Sequence, residues 1–215
     1  MENIFKNLFD FERTLACDYL QLFEYPWQAL SDLKELIITL GECLNDEEYR
    51  EVYSRVWVHK SAKIAPNACI KAPCIVGENT EVRQGAFIRG SALIGKNCVV
   101  GNSTELKNCI LFDGGQVPHF NYVGDSILGF CAHLGAGAIT SNVKCDKSHI
   151  FINGMDTSLK KLGAIVGEYA EVGCNSVLNP GTVIGANTII YPLSSVRGII
   201  EADSIFKQGK TVKKV

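Results

Sequence analysis

No stretch of the chain approaches the roughly 18 consecutive apolar residues of a membrane helix, so no membrane-spanning segment is expected. An excess of either charge is also missing. The 21 basic residues stand against 23 acidic ones, and a formal net charge of −2 is too weak a field to hold a nucleic-acid backbone. The opening MENIFKNLFDFERTL has neither a basic n-region nor a long apolar run, so a secretory leader is not expected. Nine cysteines are an odd number, which leaves any disulfide framework incomplete and points to a reducing cytoplasm. Cys69, Cys74, Cys98 and Cys109 stand among small apolar neighbours, where a free thiol acts as a small hydrophobe. The 215 residues leave room for one ordinary domain with a small attachment, not for two large ones.

What the chain does have is a repeat. An aliphatic residue recurs at every sixth position through Val58, Ile64, Ile70, Val76, Val82, Ile88, Ile94, Val100 and Leu106. Four residues after each of the first eight stands something small, Ala62, Ala68, Cys74, Thr80, Ala86, Ala92, Cys98 and Thr104, and the pattern lapses at Ile110. The series returns in the same phase at Val166, Val172, Leu178, Ile184, Ile190 and Val196. A period of six is neither helical nor simple strand alternation, so the unit is a short strand plus a turn. Three units close one coil, with the aliphatic residue inside a triangular prism and the small residue at the tight corner. Gly77, Gly95, Gly101, Gly129, Gly135, Gly167, Gly173 and Gly185 directly follow the aliphatic position, where a turn starting with positive φ would favour glycine.

Between the two series the phase slips at Leu128 and Leu134, which implies inserted residues. Bulges are expected around Asp113 to His119, and a protruding loop over about 143–162, where the rhythm is lost. Residues 1–55 read as a helical extension of about two helices, with Ser31 as an N-cap and Gly41 as a stop, packed on the open end of the first coil. The coil itself is expected over 56–200, followed by a tail over 201–215.

The segment Gly101 to Asp146 carries three motifs in order: GNSTELK, then PHFNYVGD, then HLGAGAITSN. Together with the repeats they resemble the hexapeptide-repeat acyltransferases, and in particular the acetyltransferase half of the bifunctional enzymes that make UDP-N-acetylglucosamine. The later KLGAIVGEYAEVG is similar to the archaeal sugar-1-phosphate nucleotidylyltransferase and acetyltransferase relatives. The resemblance implies an all-β, left-handed parallel β-helix, acetyl-coenzyme A as co-substrate, an amino-sugar 1-phosphate as acceptor, and a homotrimer with the coenzyme between adjacent prisms. It covers about residues 58–196. The nucleotidyltransferase half and its glycine-rich signature are missing, so no uridylyl transfer is expected and a separate nucleotidyltransferase becomes a possible partner.

Acetyl transfer to an amine needs a proton acceptor, cations for the phosphate and donors for the carbonyl oxygen. An imidazole titrates near neutral pH, and His119 with Tyr122 and Asn142 forms the expected catalytic set. Arg89 and Lys107 match the positions that bind the sugar phosphate, and their separation of one full coil stacks them on one face. Like charges on neighbouring rungs repel unless an anion lies between them. Tyr122, His133 and Asn142 match sugar-contacting positions, and Lys160 or Lys161 supplies a further cation. Ala136, Gly137, Cys174 and Tyr191 match the coenzyme side, with the Ala136 N–H at the thioester carbonyl. Here His133 replaces an asparagine, Tyr191 a small residue and Cys174 a serine.

Three other readings compete. A zinc carbonic anhydrase of the same fold needs three converging histidines, and the spacings of His59, His119, His133 and His149 do not match, so no metal is expected. A non-catalytic sugar-nucleotide-binding or scaffolding subunit would explain the separate extension but not the retained Arg89, Lys107, His119 and Tyr122. An acyltransferase for another amine shares every feature quoted.

Overall fold

The computed structural model describes residues 8–214; residues 1–7 of the expected extension and residue 215 of the expected tail lie outside them. The repeats form a left-handed parallel β-helix of about eight turns. Val56–Val58 pairs in parallel with Cys74–Val76, and that strand pairs with Ala92–Ile94, each pairing one coil further on. The aliphatic positions fill the prism: Val58, Val76, Ile88, Ile94, Val100 and Leu106 are all fully buried. Each such side chain contributes about 1.5–3 kcal/mol when removed from water. The small corner residues are polar where the backbone needs them. Thr80 Oγ1 donates to the Gly95 carbonyl at 2.7 Å and accepts from Cys98 N at 2.9 Å.

The glycines after the aliphatic positions have a different reason from the one expected. None of the eight has positive φ; Asn79, Asn97, Asn175 and Asn187 take that conformation instead. Those glycines lie against the next coil, so that a Cβ on Gly101 would fall inside the Pro118 carbonyl. Cys74, Cys98 and Cys109 are buried, and desolvation pushes the Cys98 and Cys109 thiols up to about 12. Cys69, by contrast, faces outward and is exposed.

The phase slip arises from lost residues as well as gained ones. The core position after Leu106 is Leu111, one position short of a full repeat, and the one after Val123 is Leu128, short by the same amount. Thr140 to Val166 is then a single long step that exceeds whole repeats by two positions, which cancels both deficits and explains the shared phase of the flanking series. No bulge lies at Asp113 to His119, where Gln116–His119 pairs in register with the coil above. At the two shortened steps the corner turn vanishes. Glu105–Leu111 and Tyr122–Leu128 run through it as continuous strands and join two walls of the prism into one sheet. Asn108 and Asp125 make the bend there, with φ of 49° and 48°.

The helical part of the N-terminal segment lies along a wall of the prism, and only its last strand, through Val52, reaches the open end of the first coil. Trp57, Ile75, Leu93, Ile110, Ile127 and Ile165 alternate with the core residues and so face outward, yet they are buried beneath Leu20, Trp27, Leu30, Leu33 and Ile37. The segment holds helices Cys17–Leu20 and Leu33–Glu42, with 3-10 turns at Phe11–Arg13 and Pro26–Leu30. Asp32, not Ser31, precedes the longer helix, and Gly41 stays within it because a side chain there would collide with the Trp57 ring. The edge of the first coil is covered by the antiparallel strand Tyr49–Tyr53. Past residue 200 the coil continues, with Ser204–Lys207 pairing onto Ile189–Ile190. The excursion between Thr140 and Ala164 carries the small hairpin Phe151–Ile152 and Met155–Asp156, and it tucks Ile150, Ile152 and Leu162 against the covered wall.

Candidate functional site

The two corners that lost a residue build one polar cluster. Asp125 is 4% exposed, and its carboxylate accepts from three side chains. Lys107 Nζ reaches both oxygens at 2.9 and 3.0 Å, Asn108 Nδ2 donates to Oδ1 at 2.9 Å, and Asn142 Nδ2 donates to Oδ2. A buried carboxylate is costly unless its lone pairs are occupied, and these donors occupy them. The Gly124–Asp125 bend is held in turn: Thr140 Oγ1 accepts from Gly124 N at 2.9 Å, and Gly163 N donates to the Asp125 carbonyl at 2.8 Å.

Tyr122 is half-buried beside this cluster, and its phenol oxygen accepts from Asn142 Nδ2 at 3.2 Å. Burial, with Asp125 and Glu105 nearby, pushes the phenol above its ordinary value, so it keeps its proton at neutral pH. Arg89 lies one rung above Lys107, as their one-coil spacing requires, but neither cation is bare. Arg89 bonds Glu105 at 2.7 Å, and that contact holds the guanidinium above its usual range. The repulsion expected between the stacked cations is relieved by two carboxylates. Lys160 and Lys161 are exposed where the excursion rejoins the coil, next to Leu162, whose N–H donates to the Asn142 carbonyl at 3.0 Å. Among the described residues no carboxylate pairs with either of them.

His119 occupies the next corner of the prism. Its backbone carbonyl accepts from Gly137 N at 3.0 Å, and the Ala136 carbonyl one coil on accepts from Asn175 N at 2.8 Å. His119, Ala136, Gly137 and Cys174 therefore follow one edge. The imidazole is exposed, and among the described residues no side chain pairs with it. The other three histidines are engaged, with Ser61, Glu171 and Asp156. The structure separates His133 from the Tyr122 cluster. It sits on the adjacent wall, with Nδ1 at 2.7 Å from Glu171, and shares an open groove with Cys174, Tyr191 and Pro192. Among the described residues no three His, Cys, Asp or Glu side chains gather as a metal site.

Three residues of this region carried no role of their own in the sequence. Asn108 and Glu105 stand within ELKN, and Asp125 ends PHFNYVGD. The signal was the spacing: Asn108 and Asp125 are one position short of a full coil apart.

The profile of the GMPPB C-terminal domain family matches residues 70–168, a little under half of the chain. A bifunctional sugar-1-phosphate nucleotidylyltransferase/acetyltransferase of Sulfurisphaera tokodaii is 28% identical over 174 residues, covering 71% of this chain and 43% of that protein. A bifunctional protein GlmU of Methanococcus aeolicus is 32% identical over 174 residues, covering 71% and 42%. The chain resembles the acetyltransferase half of those bifunctional enzymes. It spans less than half of their length. The acetyltransferase domain of PglB from Neisseria gonorrhoeae aligns over 72% of this chain and 56% of that one, at 16% identity and a TM-score of 0.41. No described helix is long and apolar enough to cross a membrane.

Proposed function

We propose that the protein is an acetyl-coenzyme A-dependent N-acetyltransferase for an amino-sugar 1-phosphate, glucosamine or galactosamine 1-phosphate, with His119 as general base. The observation that carries this reading is the unengaged imidazole of His119 on the edge next to the Lys107–Asp125–Asn142–Tyr122 cluster. Lys107 and Arg89 face the phosphate and share it with their carboxylates, while Lys160 and Lys161 add positive charge from the rejoining loop. Tyr122 and Asn142 contact the sugar.

Acetyl-coenzyme A supplies an activated acyl group as a thioester. The apolar side of the groove, with Tyr191 and Pro192, suits its extended arm, and Cys174 and Gly137 border the path. His119 takes the proton that the amine sheds as the amide bond forms and returns it to the departing thiolate. The Ala136 N–H donates to the carbonyl oxygen as charge gathers there. His133, held by Glu171, serves the coenzyme groove in this reading, not the sugar. Incubation with both substrates should raise the mass of the sugar phosphate by one acetyl group; an unchanged sugar contradicts the assignment.

A homotrimer completes the groove, with a neighbouring prism as its second wall. Phe120 and Leu193, 62% and 80% exposed near the His119 edge, support packing of that edge against another copy. Light scattering should give about three times the 23.5 kDa chain mass, and a monomer would remove the shared groove. A separate nucleotidyltransferase would use the acetylated sugar phosphate.

A further inference from the structure

We infer that the N-terminal segment is a working part of the acceptor site, linked to it through Asn108 as a positioning residue; the inference rests on the site proposed above. The link is a short chain of contacts. Leu30 ends the turn Pro26–Leu30, is 4% exposed, and sits with Trp27 on the outward side of Ile110 and Ile127. Its carbonyl accepts from Asn108 Nδ2 at 3.3 Å, and the same nitrogen donates to Asp125 Oδ1 at 2.9 Å. Asp125 then holds Lys107 and Asn142, the second of which also reaches the Tyr122 phenol.

One carboxamide thus ties a backbone atom of the segment to the carboxylate that places a cation and a sugar contact. A carboxamide nitrogen has two protons, and both are used here. With Leu30 in place, Asn108 is held toward Asp125 and takes part of the capacity of Oδ1. Lys107 Nζ spends two of its three protons on Oδ1 and Oδ2 and holds the third toward an incoming phosphate, a placement that the shared Oδ1 sets. When the segment shifts, Asn108 loses its anchor, Oδ1 serves Lys107 alone, and the ammonium is drawn into the carboxylate and away from the acceptor. Anything that binds or displaces the segment therefore changes affinity for the sugar phosphate and leaves the coenzyme groove untouched.

The test uses the full chain and two variants. Asn108→Gly removes the carboxamide while tolerating the positive φ at that corner, and Leu30→Ala loosens the anchor without touching the site. Lys107 reactivity toward an amine-directed succinimide ester, read by peptide mass, should fall several-fold in Asn108→Gly and move the same way in Leu30→Ala. Calorimetric titration with glucosamine 1-phosphate should show affinity about tenfold weaker in Asn108→Gly, the size expected for one lost charge-assisted hydrogen bond, with acetyl-coenzyme A affinity unchanged. Equal Lys107 reactivity in all three proteins would overturn the inference, whatever the sugar titration shows. If the unaltered chain fails to bind glucosamine 1-phosphate while Lys107 still responds, the acceptor assignment falls and the link stands.

Discussion

Replacing His119 by alanine should lower turnover about 10²- to 10⁴-fold, the usual size of a general-base contribution. The fold should survive the change. His119 is exposed at the end of Gln116–His119, its backbone carbonyl rather than its ring bonds Gly137 N, and among the described residues no other side chain depends on the imidazole. The melting temperature should therefore stay within a few degrees of the parent, as for surface substitutions in general. The loss should fall on turnover more than on the KM for the sugar, because the phosphate and hydroxyl contacts are assigned to other residues. Steady-state kinetics beside a melting curve separates the two roles. Unchanged turnover would make His119 structural, and lost turnover with a large fall in melting temperature would say the same.

The second large effect is expected at Asp125. Asn at this position keeps the shape and tolerates the φ of 48°, so Asp125→Asn isolates the charge. Removing one member of a buried ion pair strands the other. Lys107 remains 28% exposed and can turn toward water, which moderates the penalty. A loss of about 2 kcal/mol is expected, or a fall of about 4–8 °C in melting temperature for a domain of this size. The KM for the sugar phosphate should rise about tenfold at the same time, because Lys107 and Asn142 lose their common acceptor. Calorimetry and kinetics on one preparation read both changes. An Asp125→Asn protein with parental stability would mean that the cluster contributes little to the corner, and one with parental KM would separate the cluster from substrate binding.

The fold was legible because its physics is periodic. A prism wall needs an inward aliphatic residue at each strand, and Val58 to Leu106 supply one at every sixth position without a miss. Where the structure departs from that rhythm, the sequence misled in instructive ways. Two steps that fall one position short and one long step that runs two positions over cancel, so matching phase on both sides hid the deletions and suggested insertions alone. Those deletions are what bring Asn108 and Asp125 to one corner, so the least regular part of the repeat holds the densest polar contacts. His119, Tyr122 and Asn142 were visible as motif members, yet their grouping was not. Tyr122 and Asn142 share the Asp125 cluster, His119 stands on the next edge, and His133 belongs to a third surface.

The course of the N-terminal segment could have been anticipated from a second period. Trp57, Ile75 and Leu93 recur once per coil just before an inward aliphatic, a place where a solvent-facing wall would carry polar side chains. A large apolar residue at each coil on one wall requires a cover. Helical spacing in Leu33–Glu42 showed an apolar face without showing which surface would receive it. Burial of that face beside Ile75, Leu93 and Ile110 is a tertiary outcome that local periodicity does not encode.

Release of free coenzyme A from acetyl-coenzyme A, measured with glucosamine 1-phosphate, with galactosamine 1-phosphate and with no sugar, tests the central claim most directly. Release that requires one of the sugar phosphates and falls at least a hundredfold in His119→Ala is the expected result. Release that proceeds equally without sugar, or none with either sugar from protein whose light-scattering mass is that of three chains, would contradict it.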